Sequence, residues 1–246
     1  MKILVTGGAG FIGSHLVEEL IKTKENSVLV IDNLLTGKKS NLDFSQDFEL
    51  VIDELGSQSS LEKIQAFNPE ICYHLAAQSS VVISVEDPAL DFEHNILQPI
   101  KLIQTLLKTD CKKFIFTSSG GTIFGEPKVI PTSEVDFAGE PESPYGVAKK
   151  RLNELIEIMT NETKLSYSIL NLSNVYGPKQ DPHGEAGVVS IFSSKFLNNE
   201  SPTIYGDGNQ TRDYIYVKDV VAALVLSASK NENLFLNIGT GIETSV

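Results

Sequence analysis

Positively charged residues are in short supply in this chain: 20 lysines and arginines face 32 aspartates and glutamates, a formal net charge of -12 over 246 residues. Binding to a phosphate backbone needs a concentrated basic surface, so nucleic acid is set aside as a partner. The acidic balance reads as a solvated, self-repelling surface. Cysteine is rarer still. Cys72 and Cys111 show no paired spacing, which argues against a disulfide framework and fits a reducing compartment. Histidine occurs only at His15, His74, His94 and His183, without ligand spacing, so a metal site has no support. No apolar run reaches the ~18 residues of a membrane span, and no basic-apolar-small leader precedes the first apolar segment; the expectation is a cytoplasmic protein without a membrane partner. Repeats and low-complexity tracts are lacking too. What remains is a 41% hydrophobic chain, long enough for one large α/β domain or for one domain with a small appendage.

The beginning of the chain is its most informative stretch. The apolar strand Lys2–Thr6 runs into Gly7-Gly8-Ala9-Gly10-Phe11-Ile12-Gly13 and then into the helical Ser14–Leu20. A glycine turn between strand and helix lets the backbone approach a pyrophosphate, and the helix N-terminus offers it N–H groups and the positive end of a dipole. Gly8, Gly10 and Gly13 fit G-x-G-x-x-G, while Gly7, Gly10 and Gly13 fit G-x-x-G-x-x-G. A second apolar strand, Val28–Ile31, ends in Asp32, close to the ~20-residue offset at which an acid meets the adenosine ribose. The pattern predicts dinucleotide binding. In the polar loop that follows, Lys38 and Lys39 could reach a 2′-phosphate, but Asp32 would repel one, so NAD is favoured over NADP and the lysines read as solvated loop charge.

Further strands are expected at 48–52, 71–75, 113–118, 167–172 and 234–238, with 203–205 strand-like. Helices are expected at 59–67, 87–108 with a kink or break at Pro99, 143 onward, 187–197 and 217–228. Residues 119–125, 126–142 and 179–187 read as loops. Strands alternating with helices predict an α/β fold with a doubly wound parallel sheet and a ligand crevice at the strands' carboxyl ends. A dinucleotide-binding domain is expected over 1–172 and a substrate-binding portion over 173–246, whose strand at 234–238 returns to the main sheet.

Catalytic potential lies in the second half. Ser143 is a candidate N-cap and Pro144 a first helical residue, which places Tyr145 and Lys149 one turn apart on one helix face. Tyrosine is a poor base at its reference pKa of about 10, but a neighbouring cation stabilises the phenolate. Tyr145 is therefore a candidate base for a substrate hydroxyl, behind the polar loop Ser119-Gly120-Gly121.

Taken together, Thr6–His15, Asp32-Asn33-Leu34, His74–Gln78, Ser118–Gly121, Ser143–Lys149, Asn174–Pro178 and Gly206-Asp207-Gly208 through Arg212-Asp213-Tyr214 resemble the extended short-chain dehydrogenase/reductase family. Within it the chain is most similar to the NAD-dependent sugar-nucleotide epimerase/dehydratase branch, and there to UDP-glucose 4-epimerases. The resemblance spans the chain. It implies a Rossmann fold, an isomerase of carbohydrate metabolism that retains NAD, a UDP-sugar substrate and a homodimer built on the helices at 87–108 and 143–162. Tyr145 would be the base, Lys149 would hold the nicotinamide ribose, and Ser119 would bond the sugar C4 oxygen, with Ser118 or Thr122 as alternatives. Gly7, Gly10, Phe11, Ile12, Gly13, Asp32, Asn33, Glu54, Leu55, Leu75, Ala76, Ala77 and Asn95 would line the cofactor. Asn174, Gly187, Val188 and Arg212 would contact the substrate, Arg212 through the diphosphate; an ion pair with Asp213 is its ordinary alternative.

A 4,6-dehydratase would need an acid/base pair where Gly120-Gly121 stand. Other enzymes starting with C4 oxidation (uronate epimerases, decarboxylases) and a noncatalytic dinucleotide-binding protein are the competing readings. Three departures from the family pattern stand out: Phe124 for a tyrosine, Asn171 for an arginine, and an end at Val246 where relatives continue, which implies a truncated substrate-binding portion.

Overall fold

The apolar runs of Ile3–Val5 and Val28–Ile31 are almost wholly buried, which requires a layer on each side of the strands they form. The computed structural model describes residues 1–45, 47–135, 139–183 and 187–246; residues 136–138 of the loop expected at 126–142, and 184–186 of the loop expected at 179–187, lie outside them. The main strands are β1 (Lys2–Thr6), β2 (Ser27–Asp32), β3 (Glu49–Ile52), β4 (Ile71–His74), β5 (Lys113–Ser119) and β6 (Ser166–Leu172). After them come the short β7 (Asn174–Tyr176), β8 (Thr211–Arg212) and β9 (Tyr214–Tyr216), then β10 (Leu234–Ile238) and β11 (Thr244–Ser245). Seven of these form one sheet in the order β10-β6-β5-β4-β1-β2-β3, all parallel. The order reverses between β1 and β4, so the crevice opens at their carboxyl ends, where the glycine turn follows β1.

Helices α1 (Phe11–Leu20), α2 (Gln58–Phe67), α3 (Val81–Glu86), α4 (Pro88–Phe92), α5 (Gln98–Leu106), α6 (Gly120–Ile123), α7 (Pro144–Thr160), α8 (Val188–Leu197) and α9 (Val217–Ala228) complete the chain. One core joins α1 and α9 to the sheet through Leu16, Val17, Val220 and Leu224; the other joins α2, α5 and α7 through Ile64, Leu102, Ile103 and Leu152. Among the described residues, no helix is long and apolar enough to cross a membrane.

Several expectations change. Helix α3 precedes the expected helical start at 87, and Ser80 caps it by accepting from Ile83 N at 3.2 Å. The break expected at Pro99 is a π-helical turn at Glu93–Leu97 that leads directly into α5. Pro99 has no N–H to return to the preceding turn, and the wider turn accommodates that loss. Residues 120–123 wind into α6 rather than a loop. Residues 203–205 pair with no strand. Asn171 makes no ion pair; its Nδ2 donates to Asn237 Oδ1 at 3.1 Å, and Asn237 in turn donates to Glu134 Oε1 and Thr132 O, tying the covering loop to edge strand β10.

Candidate active site

The glycine turn has a shape that only glycine permits. Gly7 has φ +71°, and a Cβ there would lie 2.6 Å from the Ala76 backbone nitrogen. A Cβ on Gly13 would collide with the Gly7 carbonyl oxygen. Without those atoms, α1 starts hard against the ends of β1 and β4. Gly10 is its N-cap and carries no side chain to cap it. The first-turn residues Phe11, Ile12 and Gly13 line a cavity of about 370 Å³, with N–H groups that no carbonyl of their own helix can reach.

Every expected cofactor residue from Gly7 to Ala77 lines this cavity: Gly7, Gly10, Phe11, Ile12, Gly13, Asp32, Asn33, Glu54, Leu55, Leu75, Ala76 and Ala77. Asp32 is buried, and its carboxylate accepts from Ala9 N and Leu34 N, both at 2.8 Å, so it links the glycine turn to the following loop. Burial pushes its pKa up, against the pull of those two N–H groups. Asn33 Nδ2 donates to Glu54 Oε1 at 2.9 Å, and Gln98 Nε2 donates to Glu54 Oε2 at 3.2 Å. Lys38 remains largely solvated, as expected of loop charge, and its Nζ also pairs with Asp181 at 2.5 Å.

Asn95 is placed differently from the expectation. It does not line the cavity; its amide is buried, donating to Gln78 O at 2.8 Å and to Asp91 Oδ1 at 2.9 Å. Its place in the π turn aims it at the segment behind the cavity wall.

A second cavity, about 560 Å³, is lined by Ser119, Thr122, Tyr145, Asn174, Gly187 and Val188, together with Ser79–Val82, Val175, Tyr176, Gln180, Val189 and Tyr214. Five of the expected catalytic and substrate residues thus meet from β5, α7, β7 and the start of α8. Ser143 caps α7 by accepting from Gly146 N at 3.1 Å, with Pro144 in the first turn, and this fixes where Tyr145 emerges. Lys149 lies beneath. Its buried Nζ donates to Thr117 O at 3.2 Å, sits 4.7 Å from the Phe116 ring centroid and lies 5.8 Å from that of Tyr145. Behind Phe116, His74 stacks at 5.6 Å and meets Thr6 Oγ1 through Nδ1 at 2.7 Å. Burial and the Lys149 charge hold His74 down at about 3, so it is neutral.

Among the three candidate hydroxyls, Ser119 and Thr122 line the cavity, while Ser118 Oγ is buried without a hydrogen bond. Arg212 is exposed, donates to Thr211 O at 2.7 Å and lines neither cavity. Nor does it pair with Asp213, whose carboxylate accepts from Thr240 N, Thr240 Oγ1 and Gly241 N. The Arg212 backbone pairs antiparallel with Thr244. Phe124 is buried at the end of α6, also outside both cavities.

Residues that the sequence reading passed over include Gln78, His94, Gln98 and Thr117, all lining the first cavity. His94 and Gln98 stand four apart and both face Glu54, a spacing visible in the sequence. Thr117 holds Lys149 through its carbonyl, a contact that leaves no sequence signal, while its hydroxyl donates to His74 O.

Comparison with known proteins agrees with this arrangement. Residues 3–239 match the NAD dependent epimerase/dehydratase family. A UDP-glucose 4-epimerase of Mycolicibacterium smegmatis is 41% identical over 249 residues, covering 100% of this chain and 79% of the relative. The crystal structure of UDP-glucose 4-epimerase with UDP-glucose from Thermotoga maritima superposes with a TM-score of 0.95 at 46% identity, over 100% of this chain and 79% of that one. The Thermus thermophilus UDP-glucose 4-epimerase complex with NAD gives 0.91 at 39% identity, again over 100% and 79%. With its glycine cradle, its Asp32 and its Tyr145–Lys149 helix in one parallel fold, this chain belongs to the NAD dependent epimerase/dehydratase family.

Proposed function

We propose that the chain is a UDP-hexose 4-epimerase of the UDP-glucose/UDP-galactose type. The observation that carries this reading is the joint placement of Tyr145 and Ser119 on the second cavity, with the Lys149 ammonium buried one helical turn behind Tyr145. The residues of the first cavity fit NAD. Gly7 and Gly13 leave the space that a Cβ would fill, and the uncapped first turn of α1 suits the pyrophosphate. Asp32, Asn33, Glu54 and Leu55 would hold the adenosine end. When bound, NAD supplies a reversible acceptor for the hydride at the sugar C4.

In this reading Tyr145 takes the C4 hydroxyl proton and later returns it, Ser119 holds the C4 oxygen, and Lys149 lowers the cost of the tyrosinate. Inversion follows when the 4-keto sugar presents its other face to the cofactor. Gly120 and Gly121 follow Ser119 and bring no acid or base to the sugar, which supports epimerisation over loss of water. The UDP-sugar would lie along Asn174, Gly187 and Val188. Pairing of two copies is proposed through the helical segments at 87–108 and 143–162, which expose Phe92, Leu97 and Ile158; sedimentation of a monomer at micromolar concentration would rule it out.

The test is chromatography after incubation with UDP-glucose and with UDP-galactose. Wild-type protein should give the same mixture from either sugar. Tyr145→Phe should be slower by about 100-fold or more, the ordinary contribution of a positioned base. A folded, NAD-loaded wild type that leaves both sugars unchanged overturns the proposal, and full activity in Tyr145→Phe removes the base assignment.

A further inference from the structure

One short segment forms the wall between the two cavities. Gln78 and Ile83 line the first, whereas Ser79, Ser80, Val81 and Val82 line the second. Helix α3, which carries Val81–Ile83, buries only Ser84, and Val82 and Val85 are 66% and 63% exposed. Apolar burial therefore does little to hold this wall.

A closed polar ring holds it instead. Gln78 Oε1 accepts from Ser80 N at 2.6 Å, which orients the amide. Its Nε2 then donates to Ser80 O at 2.9 Å and to Asp91 Oδ1 at 2.7 Å. From the π turn, Asn95 Nδ2 donates to Gln78 O at 2.8 Å and to the same Asp91 oxygen at 2.9 Å. All four amide hydrogens of Gln78 and Asn95 are thereby used. Asp91, on α4, is 0% exposed, and its Oδ2 is buried without a hydrogen bond. Burying a carboxylate is costly, and the proposed chemistry does not touch this one.

We propose that Asp91 is a positioning residue: it clamps Gln78, and with it the wall from Gln78 to Ile83, between the cofactor and the nucleotide sugar. This rests on reading the two cavities as the NAD and UDP-sugar sites. The clamp works through the Asp91 Oδ1 acceptor, since both amides converge on that atom.

The experiment is a double-mutant cycle read by calorimetric titration of NAD into the cofactor-depleted protein, with thermal melts to confirm folding. Asp91→Ala and Gln78→Ala should each raise the NAD Kd by about tenfold, the effect of leaving a buried hydrogen-bonding group unpaired. The double variant should fall well short of the sum of the singles, because each single already breaks the shared Gln78–Asp91 contact. Asp91→Asn retains the Oδ1 acceptor and should stay within about threefold of wild type. Additive effects, or a folded Asp91→Ala that binds NAD as wild type does, would overturn the proposal. Should Asp91→Ala fail to fold, Gln78→Ala and Asn95→Ala form an equivalent cycle through the same oxygen, and additivity there is equally fatal. A wild type that binds no NAD would instead overturn the reading of the cavity itself.

Discussion

Gly7 shows how one backbone angle commits a site. Its positive φ and its contact with the end of β4 mean that Gly7→Ala carries both a conformational and a steric penalty. We expect that variant to lose at least about 2 kcal/mol of stability in urea titration, more than the strain of a left-handed residue alone. In the proposed reading Asp32 selects the cofactor. A 2′-phosphate placed beside its buried carboxylate would meet like charge, and Lys38, which could have compensated, is already paired with Asp181. NAD should bind on the order of 100-fold more tightly than NADP, since unit charges about 4 Å apart interact by some 1–4 kcal/mol in such surroundings. Comparable dissociation constants would refute the assignment, and Asp32→Ser should narrow the gap. The glycines and Asp32 were legible because each meets a local backbone or charge requirement. The clamp proposed at Asp91 was legible only in part: Asn95 stands four residues on, a helical spacing, but Gln78 reaches the same oxygen only in the folded chain.

At the level of elements, helix α7 with Tyr145 and Lys149 was readable from its start. Ser143, Pro144 and the four-residue interval from Tyr145 to Lys149 are local features, and α7 begins at Pro144 with Ser143 as its cap. Ser143→Ala should cost about 1 kcal/mol, read as a lower urea midpoint with unchanged slope. The short pieces were less visible. Helices α3 and α6 contain six and four residues, too few for an apolar period to emerge; α3 has the Ser80 cap, whereas α6 has no side-chain cap and depends on tertiary contacts. The strands β8 and β11 are pairs of residues that exist only because their partners lie alongside. Arg212, on β8, lines neither cavity, which its neighbours in sequence do not reveal.

For the molecule as a whole, the parallel sheet brings β1, β4 and β5 together at the crevice and buries His74 at the centre. Its pKa, about 3, lies below the ordinary 6.5, so between those values the unfolded chain binds a proton that the folded chain refuses. The stability tied to neutral His74 is present above about pH 6.5 and is lost as the pH falls toward 3. Wild type should lose about 2 kcal/mol from this group between pH 6.5 and pH 4.5, a share of acid destabilisation that His74→Gln should lack in paired denaturation curves. A variant with the same acid slope as wild type would show that His74 is not the group responsible.

From the residues alone came the alternation of strand and helix, the glycine cradle, the acid after β2 and the Tyr145–Lys149 pair. Each is encoded within a few neighbouring positions by backbone freedom, periodicity or charge. Tertiary structure decided which hydroxyls after β5 reach the second cavity, that Asn95 bonds Gln78 and Asp91 and does not line the first cavity, and that Lys38 pairs with Asp181. Those outcomes depend on residues of different elements meeting in the folded chain. Burial then sets which polar atoms must find one another, and no local pattern specifies that pairing.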